Sequence, residues 1–483
     1  MDIDLNIRNK VLLGLFWKLL ECGGTQGIQF IIQIILARLL MPEDYGTIAL
    51  ITIFISVANV FVQSGFSTSL VQKKEVDGLD FSSVFYLSLV VSSVLYIILF
   101  FAAPFIAAFY HESQLILVIR VLSFSLFFGA FNSIQNAVVT RTMHFKRFFF
   151  SSLGAIIVSG LVGVAMAYMG FGVWALVGQQ LSNNLSITVI LWFTVKWRPL
   201  LVFSMKRVKI LFSFGWKLLC SSLLDTIYNN VYGLVIGKVY NSEMLGYYNR
   251  GDQFPNLIVT NINGSIQSVM LPALSANQDD RVRVKGMVRR SIVTSSFIIF
   301  PMMTGLAVCA DPLTRILLTD KWLPCVPFLQ ILCVSYALWP IHTANLQAIN
   351  ALGRSDIFLK LEIIKKCVGI VTLIVSIPFG IYVMVALRPV IGLLGSIINA
   401  FPNTKLLDYS FIEQWLDIMP SLFLALVMGV VVYSIQFIGW NTWATLSVQI
   451  VSGAIIYIGL AFMFKLECFM YLLDTMKDLF NRN

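Results

Sequence analysis

The chain has 483 residues, 58% of them hydrophobic and only 12% charged, with a formal net charge of +10. Soluble domains carry charge on about a quarter of their residues, so this composition excludes a water-soluble globular protein. The basic excess lies in short loops between apolar runs, where it reports membrane topology and not nucleic-acid binding.

The apolar runs are long and continuous, whereas a transmembrane β-barrel shows short segments of alternating polarity. The sequence therefore predicts an all-α polytopic membrane protein with about 14 transmembrane helices. They are placed at 11–37, 44–68, 81–103, 114–137, 148–169, 173–195 and 210–236. Seven more follow at 245–270, 291–309, 326–349, 361–380, 382–402, 419–438 and 442–464. The division of 361–402 rests on Pro378 and Gly380, residue types that end helices. The opening MDIDLNIRNK leads into a span holding Lys18 and Glu21 with no small-residue cleavage site, so no removable signal peptide is expected.

That first span is long enough to cross a bilayer, since roughly 20 residues at about 1.5 Å rise suffice. It nevertheless carries Lys18, Glu21, Thr25, Gln29 and Gln33 at steps of three or four, one polar stripe on a helix. Lipid offers such a stripe no partners, so it must face protein or water.

Lysine and arginine placement sets the orientation. With the N-terminus in the cytoplasm, Lys73, Lys74, Arg141, Lys146, Arg147 and the later basic clusters at 196–209, 281–290 and 354–366 all fall on the inner side. Outer loops keep Arg38, Lys238, Arg315 and Lys321. Both termini are thus expected to be cytoplasmic.

The chain repeats itself. Trp17-Lys18-Leu19-Leu20 returns as Trp216-Lys217-Leu218-Leu219 at an offset of 199 residues. Glu43 and Gly46 return as Glu243 and Gly246 at 200, and Ser64-Gly65 matches Asn263-Gly264 at 199. Six helices per copy bring the second copy in from the same side, the parallel-repeat arrangement. The expected domains are an N-terminal six-helix lobe at 1–205, a pseudo-symmetric six-helix lobe at 206–403, and two additional helices with a cytoplasmic tail at 404–483.

The second copy's first helix carries its own stripe, Lys217, Ser221, Asp225, Tyr228 and Tyr232. At the repeat offset, Gln26, Gln29 and Gln33 correspond to Asp225, Tyr228 and Tyr232. The functional reading is that both helices line a hydrated cavity between the lobes; the plain one is that Lys18 and Glu21 pair or bond a neighbouring helix. Intramembrane charge is costly, which favours function. Arg250 follows Tyr247, Tyr248 and Asn249 well inside its span and is assigned to the cavity, with Arg388 a further candidate. Arg38 and Arg120 suit a cavity role and snorkelling equally. His342, beside Asn345 and Gln347, is a proton-coupling candidate or a satisfied structural histidine. Glu21 and Asp225 are the other ion-coupling candidates. His111-Glu112 lacks the partners a zinc site needs, and the seven cysteines show no metal spacing. No catalytic residue, metal or cofactor is expected. Cys309 and Cys325 flank one loop and are the pair to check for a disulfide. The glycine pairs Gly23-Gly24, Gly160 with Gly163 and Gly392 with Gly395 suit close helix contact.

The stretches GLFWKLLECGGTQGIQFIIQIILARLLMPEDYGTIAL, VFVQSGFSTSLVQKKEVDGLDFSSVFYLSL, KWRPLLVFS and YNRGDQFPNLIVTNINGSIQSVMLPALSANQDD resemble the polysaccharide-transporter branch of the MOP (MATE-like) exporter superfamily. The similarity runs through spans one to twelve and is nearest to Wzx-type flippases and colanic-acid and teichuronic-acid exporters. The resemblance implies a two-lobed fold with a central V-shaped cavity working by alternating access. It also implies a substrate, an undecaprenyl-pyrophosphate-linked oligosaccharide repeat unit moved to the periplasmic leaflet of the bacterial cytoplasmic membrane.

On this reading the pyrophosphate meets Lys18 and Lys217, then Arg250, Arg38 or Arg388 in the outward state. Glu21, Asp225, Gln29, Gln33 and Tyr228 contact sugar hydroxyls or carry a coupling ion. The expected partners are the lipid-linked oligosaccharide, membrane lipids and the polysaccharide polymerase and chain-length machinery. A MATE-type antiporter for cationic small molecules is the first rival, and an acid-rich cavity would favour it. Here both acidic candidates share their helices with a lysine. A membrane-embedded glycan polymerase or transferase is the second, and every loop here is short for that class. An uncoupled scramblase is the third.

Overall fold

The computed structural model describes residues 17, 23–63, 69–71, 73, 76–142 and 145–481. Lys18, Glu21 and the Ser64-Gly65 end of the repeat lie outside the described residues. The described chain is helical with no strand, and ten helices are long and apolar enough to cross a membrane, or eleven if one bent pair counts as one span. The protein is a multi-pass helical membrane protein.

By its contacts the chain divides into two compact units, Met1–Gly246 and Tyr247–Asn483. The first contains α1 (23–39), α2 (Pro42–Gln63), α3 (Gly78–Tyr110), α4 (Leu115–Leu122), α5 (Ser125–Thr142), α6 (Phe145–Tyr168), α7 (Val173–Thr194) and α8 (Met205–Val239). The first turn of α9 (Ser242–Ser275) closes that unit. Helix α2 is its hub and packs on α3, α4, α5, α7 and α8. Leu50, Ile51 and Val62 are fully shielded there. Helix α3, by contrast, leaves Val90, Val94, Ile97, Phe101 and Phe105 exposed at helical spacing. Such an apolar face suits lipid, where association comes from close packing and not from excluding water.

Helix termini show how the sequence sets this unit. Asp77 caps α3 in a full capping box, accepting from the Asp80 N–H at 2.9 Å while Asp80 accepts from the Asp77 N–H. That backbone hydrogen bond, helped by the Arg207 guanidinium, holds the Asp77 carboxyl below its ordinary range. Asp80 is fully buried and pairs with Lys73 at 2.6 Å and with Arg207, at the start of α8, at 3.6 Å. Arg141, in the last turn of α5, donates to the carbonyls of Leu70 and Lys73 at 3.0 and 2.6 Å. One basic cluster thus clamps the loop before α3 to α5 and α8.

The repeat has a counterpart in contact. A Cβ on Gly46 would sit 1.7 Å from the Ser242 carbonyl oxygen, and one on Gly246 would sit 2.1 Å from the Pro42 carbonyl oxygen. Pro42 and Ser242 are themselves repeat equivalents, so the first turns of α2 and α9 lie reciprocally against each other. Each also keeps half of a capping box. Asp44 accepts from the Met41 N–H at 3.0 Å, and Asn241 accepts from the Met244 N–H at 2.8 Å. Elsewhere Gly160 admits Ile32 of α1 and Gly163 admits Gln179 of α7, whereas Gly23 has nothing within 4 Å to approach.

The second unit contains α10 (Arg281–Val308), α11 (Ala310–Leu317), α12 (Val326–Ala337), α13 (Trp339–Ala351), α14 (Ser355–Ser376), α15 (Ile381–Leu406), α16 (Phe411–Ser434), α17 (Thr442–Met463) and α18 (Glu467–Asn481). Helix α10 is central and packs on α12, α13 and α16. Between α14 and α15 the chain turns through a short 3-10 segment, Ile377–Phe379, and Gly380 with φ 93°. A φ of that sign strains every residue with a Cβ, which is why a glycine stands there. Inside this apolar unit sits a buried amide cluster. Asn345 and Gln414 exchange hydrogen bonds at 2.8 and 3.1 Å, and Asn403 donates to Asn345 Oδ1 at 2.6 Å. Helix α18 is held at one end by Arg289, which bridges Asp417 at 3.0 Å and Glu467 at 3.1 Å.

Cys309 and Cys325 are separate, buried free thiols, so the disulfide considered for them is not formed.

Candidate functional site

The polar stripe of α1 is represented by Thr25, Gln29 and Gln33. Thr25 is buried, Gln33 half-buried and Gln29 exposed. Arg38 is exposed at the end of the same helix. On α8, Lys217 and Asp225 are exposed and Tyr228 is half-buried. Helix α8 is bent by 57° between Met205–Ser213 and Gly215–Val239, which places the bend one turn before Lys217. Its polar residues therefore lie on the longer arm, and neither charge is sunk in the first unit's core.

Arg120 stays within its own unit. Its Nε donates to the Phe100 carbonyl at 3.3 Å and its guanidinium stacks 4.1 Å from the Phe100 ring. That is a structural partnership of α3 and α4.

The second unit gathers more charge. Arg250 is 4% exposed, donates to Gln253 one turn on, and faces the Trp322 ring at 5.3 Å. Arg388, on α15, reaches α9. It donates to the Tyr248 hydroxyl at 2.5 Å and approaches Asp252 Oδ1 at 3.5 Å. Tyr336 of α12 donates to that same Oδ1 at 3.0 Å. Three helices thus converge on an Asp–Arg pair carrying two tyrosines.

Gly251 explains how α9 comes so near α12. A Cβ there would lie 2.8 Å from the Leu329 amide nitrogen and 3.1 Å from the Cys325 carbonyl oxygen. The missing side chain lets the helices touch backbone to backbone, and the next residue, Asp252, meets Tyr336. Sequence reading singled out Arg250 and Arg388 but passed over Asp252, two residues after Arg250. The available signal was a lone acid in an apolar span that also needed a partner for a distant arginine.

His342 is placed by α13 against α15, with Nδ1 3.0 Å from Asn399 Nδ2. Lys365 of α14 lies nearby and pairs with Glu362 at 2.5 Å. A Cβ on Gly395 would meet His342 Cε1 at 3.0 Å, so this glycine makes the room the imidazole occupies. Arg388 and His342 therefore belong to separate clusters. Among the described residues, no group of three or more His, Cys, Asp or Glu side chains is placed to hold a metal ion.

Comparison with known proteins adds three results. Residues 35–327 match a family model described as polysaccharide biosynthesis protein. The chain is 22% identical over 409 residues to the teichuronic acid biosynthesis protein TuaB of Bacillus subtilis, covering 83% of this chain and 84% of that one. It is 23% identical over 379 residues to the lipopolysaccharide biosynthesis protein WzxC of Escherichia coli, covering 77% and 76%. Among solved structures, the lipid II flippase MurJ in an inward closed conformation superposes with a TM-score of 0.74 at 16% identity, over 94% of this chain and 98% of that one. An inward-facing MATE multidrug transporter of the MOP superfamily superposes at 0.60 and 15% identity, over 78% and 95%. At these identities the superpositions establish the fold.

Proposed function

Because the chain belongs to the polysaccharide biosynthesis protein family, we propose that it flips an undecaprenyl-pyrophosphate-linked oligosaccharide repeat unit across the cytoplasmic membrane. The product feeds O-antigen, capsule or exopolysaccharide assembly. The observation that carries this reading is the union of two likenesses along nearly the whole chain. Curated relatives are named for polysaccharide biosynthesis, and the fold is shared with a lipid II flippase over 94% of this chain. The protein is a carrier and not an enzyme, and it works by alternating access of two six-helix lobes at 1–205 and 206–403.

The full complement is 14 spans. To the ten apolar helices it adds the bent α8, the span expected from the sequence at 11–37, and α7 and α14, which are each 22 residues long. Helix α7 owes its lower apolarity to Gln179, Gln180, Asn183 and Asn184, and α14 to Lys360, Glu362, Lys365 and Lys366. Both termini are cytoplasmic by the basic-loop asymmetry. Lys18, Lys217, Arg250, Arg38 and Arg388 attract the pyrophosphate, with Gln29, Gln33 and Tyr228 toward the sugars. Glu21, Asp225 and His342 are the coupling groups. Polymerase and chain-length proteins receive the product.

The test is deletion of the gene with analysis of lipid-linked intermediates. Undecaprenyl-pyrophosphate oligosaccharide accumulates on the inner leaflet and surface polysaccharide is lost. Normal surface polysaccharide with no accumulated intermediate would overturn the reading. Lys18→Ala with Lys217→Ala lowers surface polysaccharide at least about tenfold at unchanged protein abundance, the effect of removing two charge-assisted contacts; normal levels would remove these lysines from the site.

A further inference from the structure

The Asp252–Arg388 pair is spanned by two neutral hydroxyls. Tyr336 donates to the carboxylate at 3.0 Å and Tyr248 accepts from the guanidinium. Asp252 Oδ1 lies 3.5 Å from Arg388 Nη1, longer than the roughly 2.7–2.9 Å of a charge-assisted hydrogen bond. Their side chains keep 23% and 26% exposure, so the pair is not sealed in the core. Breaking a half-buried pair outright leaves an uncompensated charge, which is expensive. Exchanging one anion for another avoids that cost, and each charge here keeps a tyrosine when its partner leaves.

The helices are loosened at the same place. Pro255 follows Asp252 by three residues and Pro389 follows Arg388 directly, both inside helices. An interior proline removes one ladder hydrogen bond, to the carbonyl of Gly251 in α9 and of Val385 in α15, and such sites are where helices bend. The pair thus joins two helices at proline-interrupted turns.

We propose that Asp252 is the resting counter-ion of Arg388 and that a pyrophosphate-bearing substrate displaces it. Arg388 then alternates between the internal carboxylate and the substrate phosphates. A guanidinium suits this because phosphate offers more charge and a bidentate match to its planar donors. Asp252 is a positioning residue: it sets when the arginine is available and returns it when substrate departs. This rests on the flippase reading, which supplies the anionic substrate.

The test titrates the purified full-length chain with undecaprenyl pyrophosphate, with inorganic pyrophosphate in a parallel arm. Asp252→Asn removes the competitor and tightens binding about tenfold, whereas Arg388→Gln weakens it at least about tenfold. In the Arg388→Gln background, adding Asp252→Asn has much less than its tenfold effect. Tyr336→Phe takes away the carboxylate's alternative partner and weakens binding several-fold, opposite in sign to Asp252→Asn. A merely structural pair predicts weakening by both Asp252→Asn and Tyr336→Phe. Unchanged or weaker binding by Asp252→Asn overturns the proposal; where that variant does not fold, unchanged or tighter binding by Tyr336→Phe does so. A tenfold effect seen with inorganic pyrophosphate too assigns recognition to the phosphates alone, and one confined to the lipid form assigns it to the prenyl-esterified pyrophosphate. A wild-type chain that binds neither probe overturns the flippase premise itself.

Discussion

Glu112 shows how one residue's surroundings set a measurable property. His111 ends α3 with φ 61° and turns the Glu112 N–H back onto the Ala107 carbonyl at 3.0 Å. The Glu112 carboxylate is thereby brought under α2, where Thr47 donates to it at 3.4 Å. Burial raises its pKa above the ordinary value of 4.5, Thr47 works against this, and Glu43 adds to it. For a carboxyl raised in the folded state, stability is fully present below the unfolded pKa. It falls as pH rises through the folded one. We predict that the wild-type melting temperature declines as pH climbs above about 4.5, and that Glu112→Gln flattens this decline. Identical pH profiles for the two proteins would refute it. The sequence rejected a zinc site at His111-Glu112, but it held no hint of this burial. Arg388 and Asp252 make the same point: composition marked the arginine, while 136 residues of chain hid its partner.

At the scale of elements, the reciprocal contact of α2 and α9 is the sharpest constraint. Any side chain at Gly46 collides with backbone, which cannot rotate aside, so overpacking costs about 1–3 kcal/mol. Gly46→Ala and Gly246→Ala should each lower the melting temperature by several degrees and reduce polysaccharide export on complementation. Gly286→Ala is the control. Nothing lies within 4 Å of its added Cβ, and in a helix alanine gains up to about 1 kcal/mol over glycine. Equal melting temperatures for Gly46→Ala and Gly286→Ala would discard the contact. The Glu-x-x-Gly repeat was visible in sequence, but not why the glycine recurs. That reason is a backbone neighbour two hundred residues away.

Across the whole molecule, apolar run length identified a multi-pass helical membrane protein, and the loops' basic residues gave an orientation to test. Single cysteines at Ser113 and Gln278, in a background without the native cysteines, should label differently with a membrane-impermeant maleimide. Ser113 lies between α3 and α4 and reacts in intact cells; Gln278 lies between α9 and α10 and reacts only after lysis. The reverse pattern would invert the topology. Spans were legible where helices are uniformly apolar. The sequence also placed spans at α7 and α14, but their amides and charges keep both outside the ten helices apolar enough to cross a bilayer.

The sequence by itself determined the solvent. Lipid tolerates only segments that satisfy their own backbone, so long apolar runs leave helices as the outcome. It also identified the family, through loop and turn motifs, because those are local patterns. Tertiary structure alone decided which charges meet. It paired Asp252 with Arg388 and His342 with Asn399, and it left Lys217 and Asp225 exposed on α8. Pairing depends on which helices lie side by side, and hydrophobic periodicity is silent on that. Small residues such as Gly251 and Gly46 settle it, through how closely they let two backbones approach.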